Sequence, residues 1–206
     1  MNEFKNNKYA IKLEEESKKE NPNLKLCKKL REKASQLRKR KSLELMKFIN
    51  SSKALNSKKD FEFLNKLIST GADINYFIPE GITPYMLAAI NGQTMVLDFL
   101  KENGADINRV NLHGQDAYML TLLASKMARF KNLPSHRDVD YMSSIRLLRQ
   151  HGLDLSMHCD YMGNTLDDYI TGELEPFTEQ LMLNIKKYLR KENYELNAVE
   201  NLEMNF

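Results

Sequence analysis

The sequence is short of the residues that disulfide frameworks, zinc sites and membrane spans require. It has two cysteines, Cys27 and Cys159, in segments of different composition, and no Cys-x-x-Cys pair. No window approaches the ~18 consecutive apolar residues of a membrane helix. The first residues lead into a charged stretch and not into the apolar core of a secretory signal. We therefore expect a cytoplasmic protein, with a secreted effector as the alternative.

Catalytic and cofactor motifs are equally scarce. There is no glycine-rich phosphate loop, no Gly-x-Ser-x-Gly elbow and no His-Glu-x-x-His pair. The neighbouring His158, Cys159 and Asp160 resemble metal ligands in type, but adjacent residues rarely converge on one ion. We expect no catalytic residues, no metal and no cofactor, and hence a protein that is not an enzyme.

What the sequence does have is a five-residue phrase that occurs twice. Gly-Ala-Asp-Ile-Asn stands at 71–75 and again at 104–108, an interval of 33 residues, and Gly81 and Gly114 share the same offset. Leucines precede both phrases at positions that fall on one face of a helix. Two similar segments at an interval of 33 residues indicate a repeat array.

The stretch 81–92, Gly-Ile-Thr-Pro-Tyr-Met-Leu-Ala-Ala-Ile-Asn-Gly, carries the clearest local signals. Thr83 can cap a helix, and Pro84 suits its first position because that N–H has no partner in a helix. Gly92 and Gly104 are placed to end helices with a positive φ. Together with the phrase at 104–108 the stretch strongly resembles the ankyrin repeat, with Tyr, Met and Ile in place of the family's Leu, His and Val.

The resemblance implies an all-α fold, a short ankyrin-type helix-pair solenoid, and the charged helical stretches before Ser42 predict a basic helical arm at its N-terminus. The same register predicts a helix pair at 42–49 and 60–68 before the best repeat. After it, we predict a helix capped by Asp116, a second helix from Ser143, and a closing helix at about 176–191. About fifteen extra residues near 127–141 are predicted to form a loop. The expected divisions are a basic arm (1–41), a repeat domain (42–191) and a flexible tail (192–206).

The arm differs from the body in charge. Residues 1–60 hold 18 Lys and Arg against 8 Asp and Glu, although the whole chain is close to balance at 31 against 28. Helices are predicted at 4–20 and 24–41. The arm suits nucleic acid or an anionic membrane surface, or else it is a solvated helix that caps the open apolar end of the stack. Its basic residues are Lys28, Lys29, Arg31, Lys33, Arg38, Lys39, Arg40 and Lys41.

Partner contacts are expected where the ankyrin resemblance implies them, at the loop tips and on the concave face of the first helices. We expect a monomer that binds another protein there, of an identity the sequence does not give. The apolar loop at 76–79 is either an exposed contact patch or folds back on its neighbour. Met86, Met95 and Met119 are expected in the core. The candidate partner-binding residues are Phe77, Pro79, Glu80, Ile82, Ile90, Asn91, Leu112, His113, Gln115 and Leu123.

Overall fold

The computed structural model of the chain describes residues 7–51, 55–131, 140–153, 160–165, 168, 180, 181, 183–185 and 187–191. Helices follow one another along these residues, and no β-sheet strand occurs among them. The all-α fold class is therefore confirmed. The helices are α1 (Lys8–Ser17), α2 (Leu24–Ile49), α3 (Lys58–Ser69), α4 (Pro84–Ile90), α5 (Thr94–Glu102), α6 (Ala117–Lys131) and α7 (Tyr141–Gln150).

Helix α2 joins the predicted arm to the first predicted helix pair without a break. It runs for 26 residues, although we predicted separate helices at 24–41 and 42–49. The basic residues before Ser42 are good helix formers and no Gly or Pro interrupts the segment, so nothing in the sequence ends the helix at 41. The division between arm and repeats thus falls inside one helix. Helix α1 packs back along the first half of α2, and Asn7 caps α1.

The helix starts and ends of the best repeat are those predicted. The Thr83 side chain accepts a hydrogen bond from the Met86 N–H, and Pro84 is the first residue of α4. Gly92 and Gly104 follow α4 and α5 with φ values of +65° and +89°, a region that side chains with a Cβ enter at a cost. Helix α3 has in addition a capping box, in which Ser57 and Asp60 satisfy each other's backbone N–H groups.

Helix α4 is enclosed on every side. It packs against α2, α5 and α6, and each of its seven residues is buried. The same core takes Met86 and Met119, as expected, whereas Met95 on α5 is half exposed and the prediction for that residue was wrong. The last helical residues that the structure describes add Leu181, Ile185 and Leu189, a side-chain set with helical spacing, to the core.

The third helix pair, α6 and α7, spans more residues than the family pattern. The Asp116 carboxylate accepts a hydrogen bond from the Met119 N–H at 2.8 Å and so caps α6 as predicted. Helix α6 continues to Lys131, which corrects the expectation of a loop from Met127. No breaker occurs before the Asn-Leu-Pro at 132–134, and residues 132–139 lie outside the described part of the chain. Helix α7 then starts at Tyr141 after an Asp140 cap.

A chain of polar side chains ties this third pair to the second. The Tyr85 hydroxyl of α4 is 2.7 Å from His151 Nδ1, at the end of α7, and His151 Nε2 is 2.9 Å from an Asp98 oxygen on α5. Burial raises the pKa of Tyr85, and the Asp98 carboxylate raises it further, so the hydroxyl stays protonated and available for this contact. The His151 side chain is only 5% exposed, so it depends on these two partners for its hydrogen bonds.

We expect the Tyr85→Phe variant to lose about 1–2 kcal/mol of unfolding free energy, because it leaves the buried His151 Nδ1 without its partner. Urea unfolding followed by circular dichroism measures the change. Tyr118→Phe is the matched control, since Tyr118 is also buried and its hydroxyl makes no hydrogen bond to the residues described here. An equal and small effect of the two substitutions would show that the contact between the pairs contributes nothing.

Candidate partner-binding surface

The two copies of the repeated phrase fold as the same small turn. Asp73 accepts a hydrogen bond from the Asn75 N–H at 2.9 Å, and Asp106 accepts one from the Asn108 N–H at 3.2 Å. The turns are also joined, because the Asn75 side-chain oxygen accepts a hydrogen bond from the Asp106 N–H at 2.7 Å. These bonds give the chain the same direction out of each helix pair.

Within the residues that the structure describes, the backbone closes into a tip three times in the same way, at 78–82, 111–115 and 160–164. The N–H to C=O bonds are Ile78 to Ile82 at 3.2 Å, Asn111 to Gln115 at 2.9 Å, and Asp160 to Asn164 at 3.0 Å. Each tip carries a glycine with φ near +80°, namely Gly81, Gly114 and Gly163.

The tips are hydrogen-bonded to one another in series. The Leu112 N–H donates to the Glu80 carbonyl at 3.2 Å, and the Tyr161 N–H donates to the His113 carbonyl at 2.9 Å. These two bonds pack each tip against the glycine of the tip before it, so that a Cβ on Gly114 would lie 2.7 Å from the Tyr161 ring. The three tips are therefore one continuous surface, called below the fingertip row (residues 77–81, 110–114 and 160–163).

The fingertip row exposes large apolar side chains. Phe77 is 51% exposed, Leu112 63%, Tyr161 73% and Met162 76%. The Arg109 guanidinium lies 4.4 Å from the centre of the Phe77 ring, within the distance of a cation–π contact. In the loop at 76–79 both alternatives therefore occur, since Tyr76 packs against the core and Phe77 faces outward.

The structure divides the ten candidate residues into two groups. Phe77, Pro79 and Leu112 are exposed, and Glu80, Asn91 and His113 are partly exposed. The other four are buried, which corrects their assignment to a contact surface: Ile82 and Ile90 belong to the core around α4, Leu123 to the core on α6, and Gln115 is bonded to Asn111 beneath the second tip. The first helix of the best repeat, α4, is consequently covered by its own neighbours.

Two exposed residues of the row, Tyr161 and Met162, were not among the candidates. Tyr161 precedes Gly163 by two residues, as Leu112 precedes Gly114 and Pro79 precedes Gly81. This offset from the glycine was the sequence signal that could have identified Tyr161 as a tip residue. The 33-residue interval does not lead to it, because the preceding helix pair contains extra residues.

The basic arm is only partly available to a ligand. Arg38 forms an ion pair with Asp73 at 2.8 Å, and Lys41 forms one with Glu44 at 2.8 Å. The Lys33 ammonium lies 5.6 Å from the centre of the Tyr9 ring. Towards the start of α2, the side chains of Lys28, Lys29 and Arg31 are exposed.

No grouping with the ligands of a metal site appears among the residues that the structure describes. His158 and Cys159 lie outside them, so the expectation about that cluster stays a prediction. In the same described part of the chain, none of the helices is both long and apolar enough to cross a membrane.

Stacked helix pairs whose turns form one row of tips define a repeat-type binding scaffold. The sequence pattern of the family described as ankyrin repeat matches residues 80–112, which run from the first tip through α4 and α5 to the second. Residues 80–112 therefore form an ankyrin repeat. The ankyrin repeat is a non-catalytic unit of protein interaction. No curated protein matches the chain.

We expect Gly81→Ala to destabilise the fold more than Gly104→Ala. Both glycines have positive φ, which costs a residue with a Cβ about 1–2 kcal/mol. Only at Gly81 would the Cβ also meet backbone atoms of the next tip, with the Leu112 nitrogen at 2.8 Å, whereas at Gly104 nothing lies within 4 Å. The difference in unfolding free energy, measured in urea, isolates the contact between tips. Equal losses would mean that the tips do not support each other.

Proposed function

We propose that the chain is a non-catalytic interaction protein that binds another protein through the fingertip row. The observation that supports this proposal most directly is the continuity of the row, in which successive tips are joined by backbone hydrogen bonds and expose Phe77, Leu112 and Tyr161. Contiguous exposed apolar side chains on a monomeric protein are a common mark of an interface.

The composition of the row suits a binding surface. Aromatic residues and arginine contribute most to the energy of protein interfaces, and the row has Phe77 beneath Arg109 at one end and Tyr161 at the other. The tip hydrogen bonds also fix the backbone before a partner arrives. Little loop entropy is then lost on binding, which favours affinity at a given contact area.

The helices behind the tips contribute less to this proposed interface than the family resemblance implied. Helix α4 is buried along its whole length, so a partner cannot reach Ile90 while the fold is intact. Asn91 remains partly exposed, but its side-chain amide donates to the Ile49 carbonyl at 3.2 Å. The proposed contact residues are therefore Phe77, Pro79, Glu80, Leu112 and His113 of the original set, extended by Tyr161 and Met162.

We expect Phe77→Asp and Leu112→Asp each to reduce partner binding by at least about tenfold, because each places a charge among the exposed apolar side chains of the row. Capture by the tagged full-length chain, quantified by mass spectrometry, measures the loss. A photo-crosslinker in place of His113 should attach to the same protein that the two variants no longer retain.

Met95→Asp is the matched control, since Met95 is 51% exposed, like Phe77, but lies on α5 away from the tips. It should leave capture and the melting temperature unchanged. The proposal fails if all three variants retain the partner equally, or if a crosslinker at position 95 captures it as well as one at position 113.

The alternative is an adaptor whose basic arm contacts nucleic acid or an anionic membrane surface. The exposed Lys28, Lys29 and Arg31 favour it, whereas Arg38 and Lys41 already have acidic partners within the chain. Deleting residues 1–41 is a poor test, because it cuts α2 in the middle and removes the partner of Asp73. Charge reversal at the exposed positions is the appropriate change, and binding through them should fall steeply with salt.

A further inference from the structure

Helices α1 and α2 enclose an open groove that no part of the proposed interface uses. Its volume is about 750 Å³ and its lining is mostly apolar. Ala10, Leu13 and Ser17 line it from α1, and Leu24, Cys27 and Ala34 line it from α2. None of these residues belongs to the fingertip row, so the groove is a separate surface.

The walls of the groove have the shape that a third helix needs. The lining residues recur at intervals of three, four and seven, which places them along one face of each helix. Ser17 on α1 and Ser35 on α2 are small and exposed, so a helix laid between α1 and α2 could come close to both backbones there. From Leu24 to Ala34 the wall extends over about 15 Å, or nearly three helical turns.

The charge beside the groove is positive on the α2 side. Arg31 lines the groove, and Lys28, three residues earlier, lies on the same face of the helix. Neither side chain forms an ion pair with any of the residues that the structure describes. The acidic lining residue, Glu14, is paired with Lys18 at 2.6 Å, and this pairing lowers the pKa of Glu14.

We propose that the groove binds an amphipathic helix of a partner protein, with the apolar face of that helix against Leu13, Leu24 and Cys27 and its acidic flank against Lys28 and Arg31. Helices bind in such grooves through apolar anchors at the same three- and four-residue spacing. A second copy of the chain fits less well, because two groove faces brought together would oppose basic α2 helices.

The test uses the full-length chain and two synthetic helical peptides of about 15 residues, both with Leu and Ala on one face. One has Glu on both flanks and the other has Lys at the same positions. Fluorescence anisotropy gives the affinities. In the Cys159→Ser background Cys27 is the remaining thiol, so its alkylation rate reports on occupation of the groove itself.

We expect the Glu-flanked peptide to bind, to slow alkylation of Cys27 several-fold, and to bind much more tightly than the Lys-flanked peptide. Arg31→Glu should weaken binding by about tenfold or more. Lys29→Glu is the matched control. It makes the same change of charge two residues away, outside the groove face, and should weaken binding no more than about threefold.

Ser35→Trp gives a second variant that is independent of charge, because Ser35 is exposed and lines the groove, and a Trp side chain there would fill it. It should abolish binding while circular dichroism stays unchanged. The proposal is overturned if neither peptide protects Cys27, if the two charge reversals act equally, or if anionic phosphatidylserine vesicles or a DNA duplex protect Cys27 while the Glu-flanked peptide does not.

Discussion

The need to bury α4 from every side determines the rest of this structure. The helix has seven residues and no polar face, so it is too short to be stable alone and too apolar to lie at a surface. Helices α2, α5 and α6 each cover part of it. Helix α2 precedes the best repeat and α6 follows it. The repeat that matches the family pattern therefore depends on neighbouring helices outside the matched residues. In stacked repeat proteins this dependence on adjacent units is the general source of stability.

The parts of the fold that could be predicted from sequence are those set by single residues with strong local preferences. Thr83, Pro84, Gly92 and Asp116 each act within one helical turn, and each has the predicted role. The ends of α2 and α6 were missed for the opposite reason. A change of composition suggested that a helix ends at Lys41, and the distance to the next predicted helix suggested that another ends at Met127. The sequence has no residue that stops a helix at either position.

The surface was less predictable than the helices, because exposure depends on what packs against a residue as well as on its place in a repeat. Ile82 and Ile90 occupy positions where the family resemblance implies contact, yet here they are core residues. The run 84–90 contains no charged or amide side chain, which was the available sign that no face of this helix meets solvent. The exposed residues of the third tip could be predicted only from their offset from Gly163, because the interval between repeats is not constant.

The two interpretations of the basic arm do not exclude each other, because they concern different parts of α2. The Asp106 N–H is bonded by Asn75 of the preceding repeat, whereas the equivalent Asp73 N–H is bonded by the Ser42 hydroxyl at 2.8 Å. Ser42 on α2 thus supplies what a preceding repeat would supply. Arg38, one turn earlier, reinforces the same position through its ion pair with Asp73. The C-terminal part of α2 therefore packs against the stack as a preceding repeat would, whereas the Lys28 and Arg31 side chains near its start are exposed.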